Sequence, residues 1–206
     1  MKDHIAIRNH FKKTDPTIYS AMKTLNFDEW IEPRKERRGI SYFSALCREI
    51  IGQQLSGKAA STIHGRFIQL FPNEKLDPEL LLKIPDQTLR DAGMSWAKTR
   101  YVKNIAEAFI NHTVQFDQLN RLEDEVIITQ LTTIKGIGRW TAKMFLIFTL
   151  GRENVFSFGD LGLKRGIEKL YRLQNPTVDQ VNKIIAPWSP YKSYGSIALW
   201  HSLEIK

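Results

Sequence analysis

Helical periodicity recurs along this chain, and convincing strand alternation does not. In FSALCREIIGQQL, residues 43 to 55, Leu46, Ile50, Ile51 and Leu55 fall on one face of a helix; in YVKNIAEAFI, residues 101 to 110, Tyr101, Ile105 and Phe109 do; Trp140, Met144, Ile147 and Phe148 repeat the pattern later. Helix breakers stand between these segments at Pro72, Pro78, Pro85, Gly93, Gly151, Pro176, Pro187 and Pro190, so the expected architecture is all-α, with helices of ordinary length joined by short loops. With 206 residues, of which 42% are hydrophobic and 11% aromatic, the chain is long enough to bury one large core or two smaller ones.

One break is of a different kind. The stretch LTTIKGIGRWTAKMFLIFTL, residues 131 to 150, sets Gly136 and Gly138 one residue apart inside a helical pattern. Glycine in a helix interior costs about 1 kcal/mol relative to alanine, so the pair marks a tight turn between two helices. Two readings of KGIG are open. Backbone N–H groups around Gly136, Ile137 and Gly138, at the start of the following helix, present donors to an anion, and Lys135, Arg139 and Lys143 add positive charge, a combination that holds a DNA phosphate without reading a base. Alternatively, the turn is a plain helix connection with a solvated charged rim. On the phosphate reading, a side chain at Gly138 would both strain the turn and hold the DNA away.

Charge favours a polyanionic partner. Lys and Arg total 30 against 22 Asp and Glu, a formal net charge of +8. A membrane is the lesser candidate, because no uninterrupted apolar stretch approaches the roughly 18 residues a span requires, and the segment MKDHIAIRNHFKK lacks a signal-peptide apolar region. The expectation is a soluble intracellular protein. Cys47 is the single cysteine, which leaves no intramolecular disulfide, no thiolate zinc cluster and no iron–sulfur cluster with four cysteine ligands; the five histidines are scattered, so no metal site is expected.

Past the apolar helix comes GRENVFSFGDLGLKRGIEKL, residues 151 to 170, where Asp160 precedes a new helical period of Leu163, Ile167 and Leu170. An aspartate there suits a helix cap. A hairpin of the form L-x-x-I-x-G-I-G, an apolar helix and a glycine-containing loop closed by Asp together resemble the helix-hairpin-helix DNA glycosylase superfamily. Three further segments are similar to its 3-methyladenine DNA glycosylase II branch: IIGQQLSGKAA (50 to 60), GMSWAKTRYVKNIAEAF (93 to 109) and PWSPYKSYGSIALW (187 to 200). The resemblance covers roughly residues 40 to 200, in four separated motifs.

The resemblance implies a role for Asp160 as the catalytic carboxylate, which stabilises positive charge developing on the deoxyribose as the N-glycosidic bond breaks; this role and helix capping are compatible. Relatives that also cut the strand place a lysine nucleophile directly after the hairpin's G-x-G-x, whereas Trp140 stands there in this chain, and Lys143 is three residues on, about 300° around the helix. That implies a monofunctional enzyme. An aromatic base pocket is implied at Trp140, with Tyr191 and Trp188 offered by the C-terminal motif; stacking suits cationic alkylated purines. The other reading of these rings is ordinary core. Met144 and Leu161 occupy pocket positions that are often tyrosine in relatives, and Ser157 stands in a region where the family commonly has proline, which leaves the loop less rigid but keeps the carboxylate.

In IIGQQLSGKAA the family pattern implies a minor-groove plug that fills the gap left by an extruded base, with Gln54 in the plug position and Leu55 as wedge, and with Ser56 and Lys58 near phosphates. Without the resemblance they read as surface glutamines and a core leucine. The expected organisation is two-lobed, with residues 1–36 and 150–206 forming a discontinuous lobe, residues 37–149 a central lobe ending in the hairpin, and the active site in the cleft between them. The expected partner of this monomer is double-stranded DNA containing damaged bases. No cofactor is required, although a monovalent cation on hairpin carbonyls is compatible with the resemblance. The rival readings are a non-catalytic DNA-binding or lesion-sensing protein on the same scaffold and a bifunctional glycosylase-lyase. Location follows function, cytoplasmic with the nucleoid or nuclear according to the host.

Overall fold

The computed structural model describes residues 4–31 and 39–204. These residues contain helices and no strand. In chain order the α-helices are α1 (His4–Thr14), α2 (Pro16–Met22), α3 (Ile40–Gly52), α4 (Gly57–Ile68), α5 (Pro78–Lys83), α6 (Asp86–Asp91), α7 (Trp96–Ile110), α8 (Asp124–Thr132), α9 (Arg139–Met144), α10 (Leu161–Tyr171), α11 (Val178–Ile185) and α12 (Lys192–Glu204). The chain divides into two compact units, one of Met1–Arg34 with Leu146–Lys206 and one of Lys35–Phe145. The boundary read from sequence between residues 36 and 37 lies outside the described residues. No described helix is long and apolar enough to cross a membrane.

Helix starts follow local chemistry. Asp15, Asp77, Ser56, Ser95 and Thr177 each accept a backbone N–H of the helix they precede, and Thr177 forms a capping box with Gln180. Proline follows the cap of α2 and α5, at the first helical position, where its fixed φ suits the helix and its missing N–H is not needed.

The discontinuous unit gathers Ile7, Phe11, Ile18, Met22, Leu163, Ile167, Ile185, Trp188, Ile197 and Leu199 into one core. Helices α10 and α12 approach so closely that a Cβ on Gly166 would lie 2.8 Å from Cβ of Leu199 and 3.0 Å from its carbonyl oxygen. At the centre, Asp15 ties three elements. Its Oδ1 accepts the N–H groups of Thr17 and Ile18, and its Oδ2 accepts Tyr171 Oη at 2.6 Å and Trp188 Nε1 at 2.7 Å. Burial, followed by this contact with Asp15, holds the Tyr171 hydroxyl well above the ordinary tyrosine range.

In the central unit, α3 packs on α4 and α7. Phe43, Leu46, Ile50 and Ile51 of α3 are fully buried, as are Val102 and Ile105 of α7. Two positions depart from the helical faces read in the sequence. Helix α3 ends at Gly52, so Leu55 leaves its apolar face and is 37% exposed. Trp140 is 40% exposed although Met144 is buried, and after Met144 the chain widens into a π-helical turn, Phe145–Thr149, which shifts the phase on which the 3.6-residue pattern rested.

Candidate active site and nucleic-acid interface

The glycine turn joins α8 to α9, as its composition requires. Gly136 has φ +109°, and a Cβ there would stand 2.3 Å from Cγ of Tyr101, so its glycine answers both a left-handed backbone and the Tyr101 ring beneath it. Asn104 fixes the same turn by donating Nδ2–H to the Lys135 carbonyl at 2.8 Å. Gly138 differs from the expectation. It caps α9 at φ −92° and ψ 170°, a conformation open to any residue, and a Cβ would meet nothing within 4 Å. A side chain at Gly138 therefore strains nothing inside the chain, and only the outward reason for a glycine, room for an approaching ligand, stays open.

Around the turn, Lys135 is exposed, and Arg139 donates from Nη2 to both carboxylate oxygens of Glu125, at 3.2 and 2.9 Å. The side chains of that pair are 60% and 71% exposed, so it contributes at most about 1 kcal/mol and yields readily to a phosphate. Lys143 is half-buried, and burial, with Arg139 adding to it and Glu125 opposing, lowers its ammonium below the ordinary lysine range.

The second exposed turn lies between α3 and α4. Gln53 (φ −52°, ψ 133°) and Gln54 (φ +58°) are the central residues of a turn closed by Leu55 N–H on the Gly52 carbonyl at 3.2 Å, the pattern of a type II β-turn. Its third position ordinarily takes glycine or asparagine; here the left-handed residue is an exposed glutamine. Gln53 turns inward and donates Nε2–H to Oγ1 of buried Thr141 in α9 at 2.9 Å, tying this turn to the hairpin helix. Ser56 caps α4 through a long, 3.4 Å bond from Ala59 N–H, and Lys58 is exposed.

Asp160 lies in the discontinuous unit, 7% exposed, as the N-cap of α10. Its Oδ1 accepts two N–H donors, Leu163 N at 2.8 Å and Trp200 Nε1 at 3.0 Å. Trp200 comes from α12, packs at 5.6 Å from Phe148 and lies parallel to Trp30, with ring centroids 6.4 Å apart. Gly162 makes room for it, since a Cβ there would come within 2.8 Å of the indole Cδ1. The carboxylate is thereby held in one direction. Leu161, beside it, is 70% exposed.

The rings expected at a base pocket divide. Trp140 offers exposed aromatic surface in the central unit, where Met144 is buried. Tyr191 is partly buried, edge-on to His10. Trp188 is a correction: it is fully buried, its indole N–H is held by Asp15, and Gly195 packs against its ring, so it offers no face to a base and serves as core of its unit. Sequence reasoning assigned no functional role to Trp200, Lys98, Tyr101 or Asn104, although the quoted motifs contain all four. The signal available was that membership; their partners are 31 to 47 residues away in sequence or on the far side of a turn.

The model of the HhH-GPD superfamily base excision DNA repair proteins matches residues 47–190, a span that takes in the Gln54 turn, the glycine hairpin and Asp160. The chain belongs to this family. A Schizosaccharomyces pombe protein, DNA-3-methyladenine glycosylase 1, is 35% identical over 79% of this chain and 73% of its own length. A Bacillus subtilis (strain 168) protein, YfjP, named provisionally as a DNA-3-methyladenine glycosylase, is 33% identical over 80% of this chain and 60% of its own, so the chain spans about three fifths of that relative. Among solved structures, the S. pombe 3-methyladenine DNA glycosylase in complex with abasic DNA superposes with a TM-score of 0.84 at 31% identity, covering 97% of each chain.

Proposed function

We propose that this HhH-GPD protein is a monofunctional DNA glycosylase of base excision repair, which draws a damaged nucleotide out of duplex DNA and hydrolyses the N-glycosidic bond of alkylated purines of the 3-methyladenine type. The observation that carries this reading is the carboxylate of Asp160, buried, capped onto α10 and pinned at Oδ1 by two N–H donors. A fixed negative charge of this kind stabilises the oxocarbenium-like transition state without reorganising as the bond breaks. Trp140 follows Gly138 and Arg139 where a lyase needs an amine, and an indole forms no Schiff base, so the product is an intact abasic strand. Exposed Trp140 of the central unit supplies a π face on which a flipped cationic purine stacks.

On this reading the Gly136–Gly138 turn and Lys135, Arg139 and Lys143 grip the backbone of double-stranded DNA, while Gln54 and Leu55 enter the base stack. Open space on the Cβ side of Gly138 supports the first role, and the exposed left-handed Gln54 supports the second. The chain acts as a monomer inside the cell, where its substrate is. It needs no redox cofactor. A monovalent cation fits the hard oxygen donors of the hairpin, since the carbonyls of Ile134 and Lys135 each accept one N–H donor and have a second lone pair.

Base release decides the matter. DNA treated with a methylating agent, and defined duplexes carrying 3-methyladenine analogues, 7-methylguanine, 1-methyladenine, ethenoadenine, hypoxanthine or uracil, are scored for free base. The expected result is release of alkylated purines with no strand cleavage and no protein–DNA adduct trapped by borohydride. Asp160→Asn keeps an oxygen for the Leu163 N–H, so the cap persists while the charge goes, and excision should fall by about 10²-fold or more with DNA binding retained. Wild-type rates in that variant refute the mechanism. Binding without any base release, in wild type, would favour the non-catalytic reading.

A further inference from the structure

A lysine that a DNA-binding chain would be expected to turn outward is turned inward here. Lys98, in the first turn of α7, donates its ammonium to the carbonyl oxygens of Ile51 at 2.8 Å and Gln53 at 2.7 Å. Ile51 belongs to the last turn of α3, where the helix dipole favours a cation. The Gln53 carbonyl matters more, because it belongs to the central peptide of the turn from Gly52 to Leu55. Types I and II differ chiefly in which way that peptide faces: one orientation leaves the third residue right-handed, the other makes it left-handed. Gln54 is left-handed at φ +58°, a conformation that costs a non-glycine residue free energy and persists only where its surroundings impose it. Lys98 is the charged group that grips the peptide in this orientation, and Gln53, through Thr141, anchors the preceding side chain.

We propose that Lys98 is a positioning residue, whose ammonium selects the type II form of the Gly52–Leu55 turn and so presents Gln54, ready shaped, to the space left by an extruded nucleotide. The proposal rests on the reading of that turn as the plug. It also gives α7 a wider part, since Tyr101 and Asn104 of the same helix seat the glycine hairpin. One helix therefore carries the supports of both turns assigned to DNA, with Lys98 under one and Tyr101 and Asn104 under the other. A turn formed in advance spares the ordering cost that a loose one meets on insertion. Without the ammonium, the central peptide is free to flip, and the Gln54 side chain no longer points where the gap forms.

The test uses the full chain and two readouts. Insertion is followed without chemistry by the fluorescence of 2-aminopurine placed next to a tetrahydrofuran abasic site in duplex DNA; excision is followed by release of an alkylated base, from a fully paired duplex and from the same lesion in an unpaired bulge. Lys98→Met, which keeps length and removes the charge, should lose the 2-aminopurine response and lower excision from the paired duplex by about tenfold or more, the scale of an ångström-level misplacement, with a much smaller loss on the bulge. Lys98→Arg, which keeps the charge and N–H donors, should recover most of both. Thr141→Val, which removes the other anchor of the turn, should act in the same direction and serves if Lys98→Met does not fold. Equal losses on both substrates, or a wild-type insertion signal in folded Lys98→Met, overturn the proposal, as does a wild-type protein that gives no insertion signal. Insertion without excision in wild type would instead refute the glycosylase reading and leave the Lys98 test standing.

Discussion

The indole of Trp200 donates its N–H to Oδ1 of Asp160 at 3.0 Å, across 40 residues of sequence. Leu163 N–H donates to the same oxygen, so the carboxylate is held both from its own helix and from α12. Trp200→Phe retains the ring against Phe148 and removes the donor. A hydrogen bond to a charged group is worth about 1.5–3 kcal/mol, so excision should fall by about tenfold or more if that bond is what aims the carboxylate. Single-turnover rates on a methylated duplex, read beside thermal stability, check this. A folded variant with wild-type rate would mean that the indole bond does not aim the carboxylate.

Gly136 and Gly138 should part company. A methyl at Gly136 meets Tyr101 at 2.3 Å and sits on a left-handed backbone, so Gly136→Ala should destabilise the protein by roughly 1–3 kcal/mol. Gly138→Ala meets neither obstacle and should melt within about 0.5 kcal/mol of wild type, yet bind undamaged and damaged duplexes alike more weakly, because the new methyl stands where a phosphate would approach. Equal affinity in Gly138→Ala would return the turn to a plain helix connection.

Much of this was legible because it is local. The α8–α9 turn, the cap at Asp160, the break after α3 and the all-helical pattern each depend on residues within a few positions of one another. Hydrogen bonds closed by tertiary structure left no such trace: Trp200 to Asp160, Lys98 to Gln53 and Trp188 to Asp15 join residues 40, 45 and 173 apart. Trp188 shows the cost of that blindness, since a tryptophan in a resembling motif reads the same whether its ring faces a ligand or the core. The π-helical turn after Met144 was likewise hidden, as a change of helical phase has no residue signature.

Gln54 holds a position that glycine would fill without strain. Gln54→Gly should therefore leave stability unchanged or raise it by about 1 kcal/mol, while removing the side chain assigned to the gap. Excision from paired duplex should drop nevertheless. Chemical denaturation alongside base release tests the pair of outcomes, and a variant that is both more stable and fully active would show that the side chain serves no purpose in extrusion.

Cys47 should report on unfolding. It is fully buried in α3, and burial pushes its thiol well above the ordinary cysteine range, so the reactive thiolate is scarce and inaccessible at neutral pH. A disulfide reagent such as Ellman's should label the native protein slowly and the denatured protein at once, with one thiol per chain. Rapid stoichiometric labelling under native conditions would contradict the packing of α3.

Asp15 and Trp188 should govern stability rather than chemistry. The carboxylate of Asp15 accepts two backbone N–H groups, the Tyr171 hydroxyl and the Trp188 indole, so Asp15→Ala strands several buried donors at once, a loss of about 3 kcal/mol or more and a fall in melting temperature of roughly 6–12 °C. Trp188→Phe removes one donor from the same oxygen and some volume from the core, and should cost about 2 kcal/mol. Neither change touches Asp160 or its two donors. Excision per folded molecule should then stay within about twofold of wild type, well inside the loss expected when the ring proposed to stack on the base is removed, as in Trp140→Ala. The comparison is made well below the melting temperature of the weaker variant, with folded protein counted by circular dichroism. If Trp188→Phe melted like wild type and yet lost excision as severely as Trp140→Ala, the indole would have to face the base, and its burial against Asp15 and Gly195 would not describe the active protein.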